Sequence, residues 1–240
     1  MATAITATTV APRRRPLYIG LSLLMGLIAG VGFWPRYFGP LVQGTLVQPP
    51  VIHVHAIVFT GWLVLFFTQA VLAATGQVRW HSRLGKVGIA YGVVLIGVGL
   101  YTGVVRSSVL PLGGPAEGLL FVSLADMVLF SAFFSAAVAY RRTPRLHRPL
   151  MVVAATTLLV AAVGRLTFLP PSPFETPVGL AVWASPLLVA MASDIWNHRR
   201  PHPVYLIGLV GLVLRTWSVV LVETPAWGAV TVWVAGISAP

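Results

Sequence analysis

Apolar runs close to 20 residues long recur along the whole chain, and the breaks between them hold nearly all the charges. Seven runs stand out: Leu17–Trp34, Val51–Ala74, Val87–Val105, Leu119–Tyr140, Leu150–Phe168, Val178–Ile195 and Val204–Val222. At about 1.5 Å rise per residue, a helix over each run crosses a hydrocarbon core roughly 30 Å thick. Gln48-Pro49-Pro50, Pro111-Leu112-Gly113-Gly114-Pro115 and Leu169-Pro170-Pro171 read as connections, because proline lacks an amide donor and glycine frees the backbone. The pattern predicts an all-α fold, a polytopic transmembrane helical bundle over residues 17–222. Residues 1–16 read as a basic segment ahead of the bundle, and 223–240 as an apolar C-terminal segment. Its stretch Trp227–Ser238 is short for a span, so it lies in the interface or forms a partial eighth one. No run shows the short centre broken by Gly or Pro that marks many transporter sites.

Composition narrows the class. Hydrophobic residues are 57% and charged residues 9% of the 240, against roughly 25% charged in an ordinary soluble domain. A net charge of +11 would point to nucleic acid in a soluble protein. Here the cations sit in short turns, so they read as membrane topology and contacts to anionic headgroups, with no nucleic acid. The absence of cysteine excludes disulfides, Cys-ligated metal, iron–sulfur clusters and thiol catalysis. The first run continues into Pro35-Arg36-Tyr37-Phe38, which favours a retained helix over a cleaved signal peptide. Arg13, Arg14, Arg15, Arg79, Arg83, Lys86, Arg141, Arg142, Arg145, Arg148, Arg199 and Arg200 all fall on one side of the seven-span scheme, twelve of the sixteen Lys and Arg. The opposite loops hold Arg36 and Arg106 together with Glu117, Glu175 and Glu223. This bias predicts a cytoplasmic N-terminus and an external C-terminus in a bacterial cytoplasmic membrane.

Gly88, Gly92, Gly99 and Gly103 lie within about 60° of one another on a helix and predict a smooth strip for close helix packing. Gly26 and Gly30 predict a shorter one on the first span. The cytoplasmic turns share a loose repeat: Arg79-x-His81-x-x-Leu84, Arg145-x-His147-x-x-Leu150 and Arg200-x-His202-x-x-Tyr205 each precede an outward-going helix. The second to seventh spans thus read as three helical hairpins with Arg-x-His elbows, or as turns that merely face the same headgroups.

Ionisable groups inside a bilayer are costly and mark functional positions by default. His53, His55, Asp126, Arg165 and Arg215 come from four predicted spans and converge on one outer level. They form either an open polar site, with Asp126 ionised against Arg215 or Arg165, or a buried ion pair that only locks helices. His53 and His55 are about 200° apart on a regular helix, so they join Asp126 in a zinc, copper or iron site only if the helix starts after His55. His55, Trp62 and Gln69, spaced by seven, share one face. At the inner level His81, His147, His198 and His202 lie in or beside turns, with Met151 one turn beyond His147 and Asp194 on the face of His198. A b-type haem between His81 and His147, a metal held by the three elbows with Asp194, and plain headgroup contacts are the alternatives there. Pro201 and Pro203 interrupt His198-x-x-x-His202, so helical metal-motif geometry is not secured.

The combination of His53-x-His55 opening a span with Trp62 and Gln69, Arg79-x-His81-x-x-Leu84-Gly85-Lys86, and His147-Arg148-x-x-Met151 resembles a group of uncharacterised multi-pass bacterial inner-membrane proteins. The resemblance covers mainly Val51–Arg165 and implies a fold and a location but no activity. A fainter likeness is to cytochrome b561-type bundles; it implies haem, and the lack of an outer histidine partner departs from their pattern. Three functions follow: a metal- or small-ligand-binding membrane protein using the outer site, a redox protein binding haem b through inner histidines, and a structural or assembly subunit. A homo-oligomer or another membrane protein is the expected kind of partner.

Overall fold

A computed structural model of the chain describes residues 15–238 except 171–173 and 175. The basic residues Arg13 and Arg14 and the loop carboxylate Glu175 lie outside the described residues. The fold is all-α, with seven helices long and apolar enough to cross a membrane. In chain order they are α1 (Arg15–Phe33), extended by a π-helical turn (Trp34–Phe38) and the short α2 (Gly39–Val42); α3 (Pro50–Ala74); α4 (Val78–Ser107); α5 (Pro115–Ala139); α6 (Pro144–Thr157) with α7 (Val160–Val163); α8 (Pro177–His198); and α9 (Pro203–Trp217), continued by a 3₁₀ turn (Ser218–Glu223). A last helix, α10 (Pro225–Ser238), follows. The apolar exterior, with Leu27, Val64, Val93 and Leu214 all largely exposed, is what lipid-facing helices require.

Proline opens six of these helices, at Pro50, Pro115, Pro144, Pro177, Pro203 and Pro225. At the first helical position its missing N–H has no intrahelical partner to lose, and its fixed φ suits the turn. The prolines that read as loop markers are therefore also helix starts. Helix α4 begins at Val78 and α6 at Pro144, nine and six residues before the apolar runs begin at Val87 and Leu150. Two of the three Arg-x-His elbows are first helical turns.

Helix α6 is the hub. Leu150, Val152, Val153, Ala154, Ala155, Thr156 and Thr157 are all buried, on faces turned to different neighbours. One core gathers α1, α6, α8 and α9 around Trp183, Leu21, Met25, Leu187 and Leu212. The second gathers α3, α4, α5 and α6 around Trp62, Leu95, Met127, Phe130 and Phe134. The glycine strip of α4 behaves largely as its spacing predicts. A side chain at Gly92 would meet the ring of Phe134, one at Gly99 the Met127 thioether, and one at Gly103 Ser123, all on α5. Gly88 instead faces Leu65 of α3. Gly26 and Gly30 face open space, so they are not a contact strip; on α1 it is Gly32 that lies against the Ala162 backbone.

Two spans are irregular, contrary to the reading of unbroken centres. The fifth stops at Thr157 and resumes at Val160. In a membrane the freed backbone groups need partners. The Thr156 carbonyl accepts from the Leu159 amide at 3.1 Å and from the Trp183 indole N–H at 3.0 Å. Thr156 and Thr157 turn their hydroxyls back onto the Val152 and Ala154 carbonyls, each at 2.8 Å. The first span widens to π geometry around Pro35, whose ring cannot donate within a tight α ladder. Helix α10 has 14 residues and packs on α4 and α5, short of a full span. Its Trp227 indole donates to the Glu117 carbonyl at 3.0 Å and meets the Phe121 ring edge-on.

Candidate functional site

The connectivity puts the predicted polar residues at two ends, one holding His53 and the other His81. At the His53 end the five residues divide into two groups. Arg215 donates from Nε to Asp126 Oδ1 at 2.6 Å, joining α9 to α5, and both side chains are buried. Of the two arginines that sequence offered as partner, the structure selects Arg215. The contact is single, and Arg215 Nη2 is buried with no partner among the described residues. On α4, Thr102 Oγ1 is likewise buried without one. Thr102 lies between Gly99 and Gly103, which face Met127 and Ser123, the α5 residues flanking Asp126.

His53, His55 and Arg165 form the other group. Because α3 is helical from Pro50, the two imidazoles leave it in different directions. His53 Nδ1 shares a hydrogen bond of 3.0 Å with the Tyr37 hydroxyl. His55 stacks on Phe59 with ring centres 4.0 Å apart, and its Nδ1 is buried without a partner. Arg165 donates to the Ala161 carbonyl at 2.6 Å and lies over the Phe33 ring, 5.0 Å from its centre. It is within electrostatic reach of His55 and of Arg36. No cluster of three His, Asp or Glu suited to a metal exists among the described residues. The set His53, His55 and Asp126 is therefore not assembled as one metal site, because the helix starts before His53.

At the other end His81, in the first turn of α4, and His147, in the first turn of α6, face one another with ring centres 6.5 Å apart and planes at 82°. His81 Nδ1 bonds the Gln69 carbonyl at 3.2 Å and His147 Nδ1 the Ala137 carbonyl at 2.8 Å. A carbonyl only accepts, so both rings carry their proton on Nδ1, and in the neutral ring the Nε2 lone pair remains. Gln69 Oε1 is also buried with no partner. Met151 is partly buried one turn along α6 and packs on both cores.

The third elbow is built differently. His202 Nδ1 accepts from the Val204 amide at 3.3 Å as the N-cap of α9, and Asp194 Oδ2 accepts from the His202 amide at 3.0 Å. His198 is exposed at the end of α8. The three elbows, with Asp194, do not form one ligand cluster among the described residues. Pro201 and Pro203 are the reason, since they set His202 before a new helix where its imidazole caps the backbone.

Four contributors escaped the sequence reading. Tyr37 and Arg36 reach the His53 end through the π turn, and the Gln69 and Ala137 carbonyls orient the two imidazoles. Pro35 flagged the turn, but main-chain acceptors leave no mark in side-chain identity. No family model, curated protein or solved structure matches the chain.

Proposed function

We propose that this integral membrane protein binds a transition-metal centre through His81 and His147, and that its activity is redox. The observation that carries the reading is the cross-helix imidazole pair, with each Nδ1 anchored on a main-chain carbonyl and each Nε2 left available. That is how ligating histidines are usually oriented, the carbonyl fixing both tautomer and ring angle. The ring centres lie 6.5 Å apart, within the range that two imidazoles holding one metal would span. The lack of a third His, Asp or Glu ligand argues against structural zinc, which takes four protein ligands. Iron in a porphyrin, or a soft ion content with few ligands, would fit the donor set of two imidazoles. Such a centre would supply one-electron exchange; the chain holds the two ligands at the bundle end and orients them through main-chain carbonyls. With the N-terminus inside, as the arginine bias predicts, the centre lies at the cytoplasmic side.

The test is an absorption spectrum with metal analysis of the detergent-purified full chain from haem-supplied cells. A Soret band lost in both His81→Ala and His147→Ala identifies haem. Stoichiometric copper or iron without that band identifies a bare ion. Neither, even after loading, overturns the reading. A second reading, a structural subunit with no chemistry, is favoured by the direct Asp126–Arg215 bond, which ties two helices and leaves one nitrogen unused.

A further inference from the structure

We propose that the His53 end carries a binding site for an anionic phospholipid, its phosphate on Arg36 and Arg165 and its acyl chain in the groove between α1 and the segment after α7. The first support is electrostatic. Arg165 lies over the ring of Phe33, three residues before Arg36 on the first span, and neither arginine has a carboxylate partner among the described residues. Guanidinium groups at the end of a span with no carboxylate partner are stabilised by an external anion. Arg165 uses one donor on the Ala161 carbonyl, and a guanidinium has five. His55, at the same end, adds a buried Nδ1 with no hydrogen-bond partner among the described residues.

The second support is shape. An open groove of about 420 Å³ is lined by Gly30, Val31, Trp34, Pro35, Thr167 and Phe168. These residues adjoin the two arginines along the chain. Gly30 has nothing within 4 Å of where a side chain would begin, so the groove is empty space at that point. Gly32 meanwhile lies against the Ala162 backbone, which holds its walls together. Trp34 and Phe168, both largely exposed, are the aromatic residues that prefer the headgroup level. Arg36 follows Pro35, a lining residue of this groove, in the π turn, and such turns recur at functional positions. Arginines adjoining an open apolar trough match a lipid with a phosphate headgroup; a soluble anion would have no use for the trough.

The test is native mass spectrometry of the detergent-purified full chain titrated with phosphatidylglycerol, phosphatidylcholine or inorganic phosphate. Arg36→Gln changes an exposed residue with no hydrogen bond of its own, and Gly30→Leu fills open space, so both variants leave the fold intact. The expected result is one fewer tightly retained phosphatidylglycerol in each variant than in the wild type. Retention of phosphatidylcholine should be unchanged, and millimolar phosphate should displace nothing. The lipids held by the basic turns at the other end are common to all three proteins and cancel. Equal phosphatidylglycerol counts in wild type and both variants overturn the proposal. Loss of phosphatidylcholine alongside overturns its charge selectivity, and displacement by inorganic phosphate overturns its assignment to lipid.

Discussion

Two polar pairs bridge helices in this bundle, and they are used in opposite ways. Asp126 and Arg215 bond each other and close the gap between α5 and α9. His81 and His147 do not bond each other; each bonds a main-chain carbonyl through Nδ1, which leaves its Nε2 without a hydrogen bond. The first arrangement answers a stability problem, because a buried charge needs a counter-charge. The second leaves each ring a nitrogen lone pair, which is what a metal ligand needs. The two pairs thus divide by whether the side chains bond each other or are each held by the main chain.

The largest effect should come from breaking the first pair. Asp126→Ala leaves the Arg215 guanidinium buried without its counter-charge, and thermal or denaturant unfolding in detergent should show a loss of about 3–5 kcal/mol. Replacing both residues with leucine should recover much of that loss; if it does not, Asp126 and Arg215 have a partner besides each other. Next in size is the hub. Trp183→Phe removes the indole donor from the broken turn of α6 and should cost about 1–3 kcal/mol by the same measurement, with no change in metal content. Gly92→Ala drives a methyl into the Phe134 ring and should destabilise by about 1–3 kcal/mol.

His81→Ala and His147→Ala sharpen the contrast from the other side. Each removes one hydrogen bond at a half-buried position, a loss of about 0.5–1.5 kcal/mol, yet each should abolish bound metal or haem as read by absorbance and elemental analysis. A large fall in stability with no spectral change would place this pair in the same class as Asp126–Arg215. The smallest effect is expected at Tyr37→Phe, which leaves His53 without its hydroxyl partner. A shift of about 0.5–1 kcal/mol at most should be seen there, with metal content untouched.

Particular residues show where inference from sequence stopped. Asp126 and Arg215 were legible as partners because both are charges set at similar depth in apolar runs, and a bilayer leaves such charges few alternatives. The choice between Arg215 and Arg165 was not legible, because it depends on which helices neighbour α5. His53 and His55 hinged on where α3 begins, and Pro50 decides that by serving as the first helical residue. The repeat suggested three equal elbows. Pro201 and Pro203 hold His202 outside α9, while His81 and His147 lie inside their helices. The break after Thr157 had no Gly or Pro to announce it, since a neighbouring indole and two threonine hydroxyls satisfy the backbone there.

By itself the chain determined that it is helical, that it spans a membrane seven times, and which residues lie at each end. Hydrophobic run length against bilayer thickness is a one-dimensional quantity, and sequence states it directly. The tertiary structure decided which polar groups meet, which carbonyls hold the imidazoles, and that Arg165 lies over the Phe33 ring. Those depend on how helices rotate and pack against one another, and that is settled by many small contacts such as Gly92 on Phe134. Depth was written in the sequence; azimuth was not.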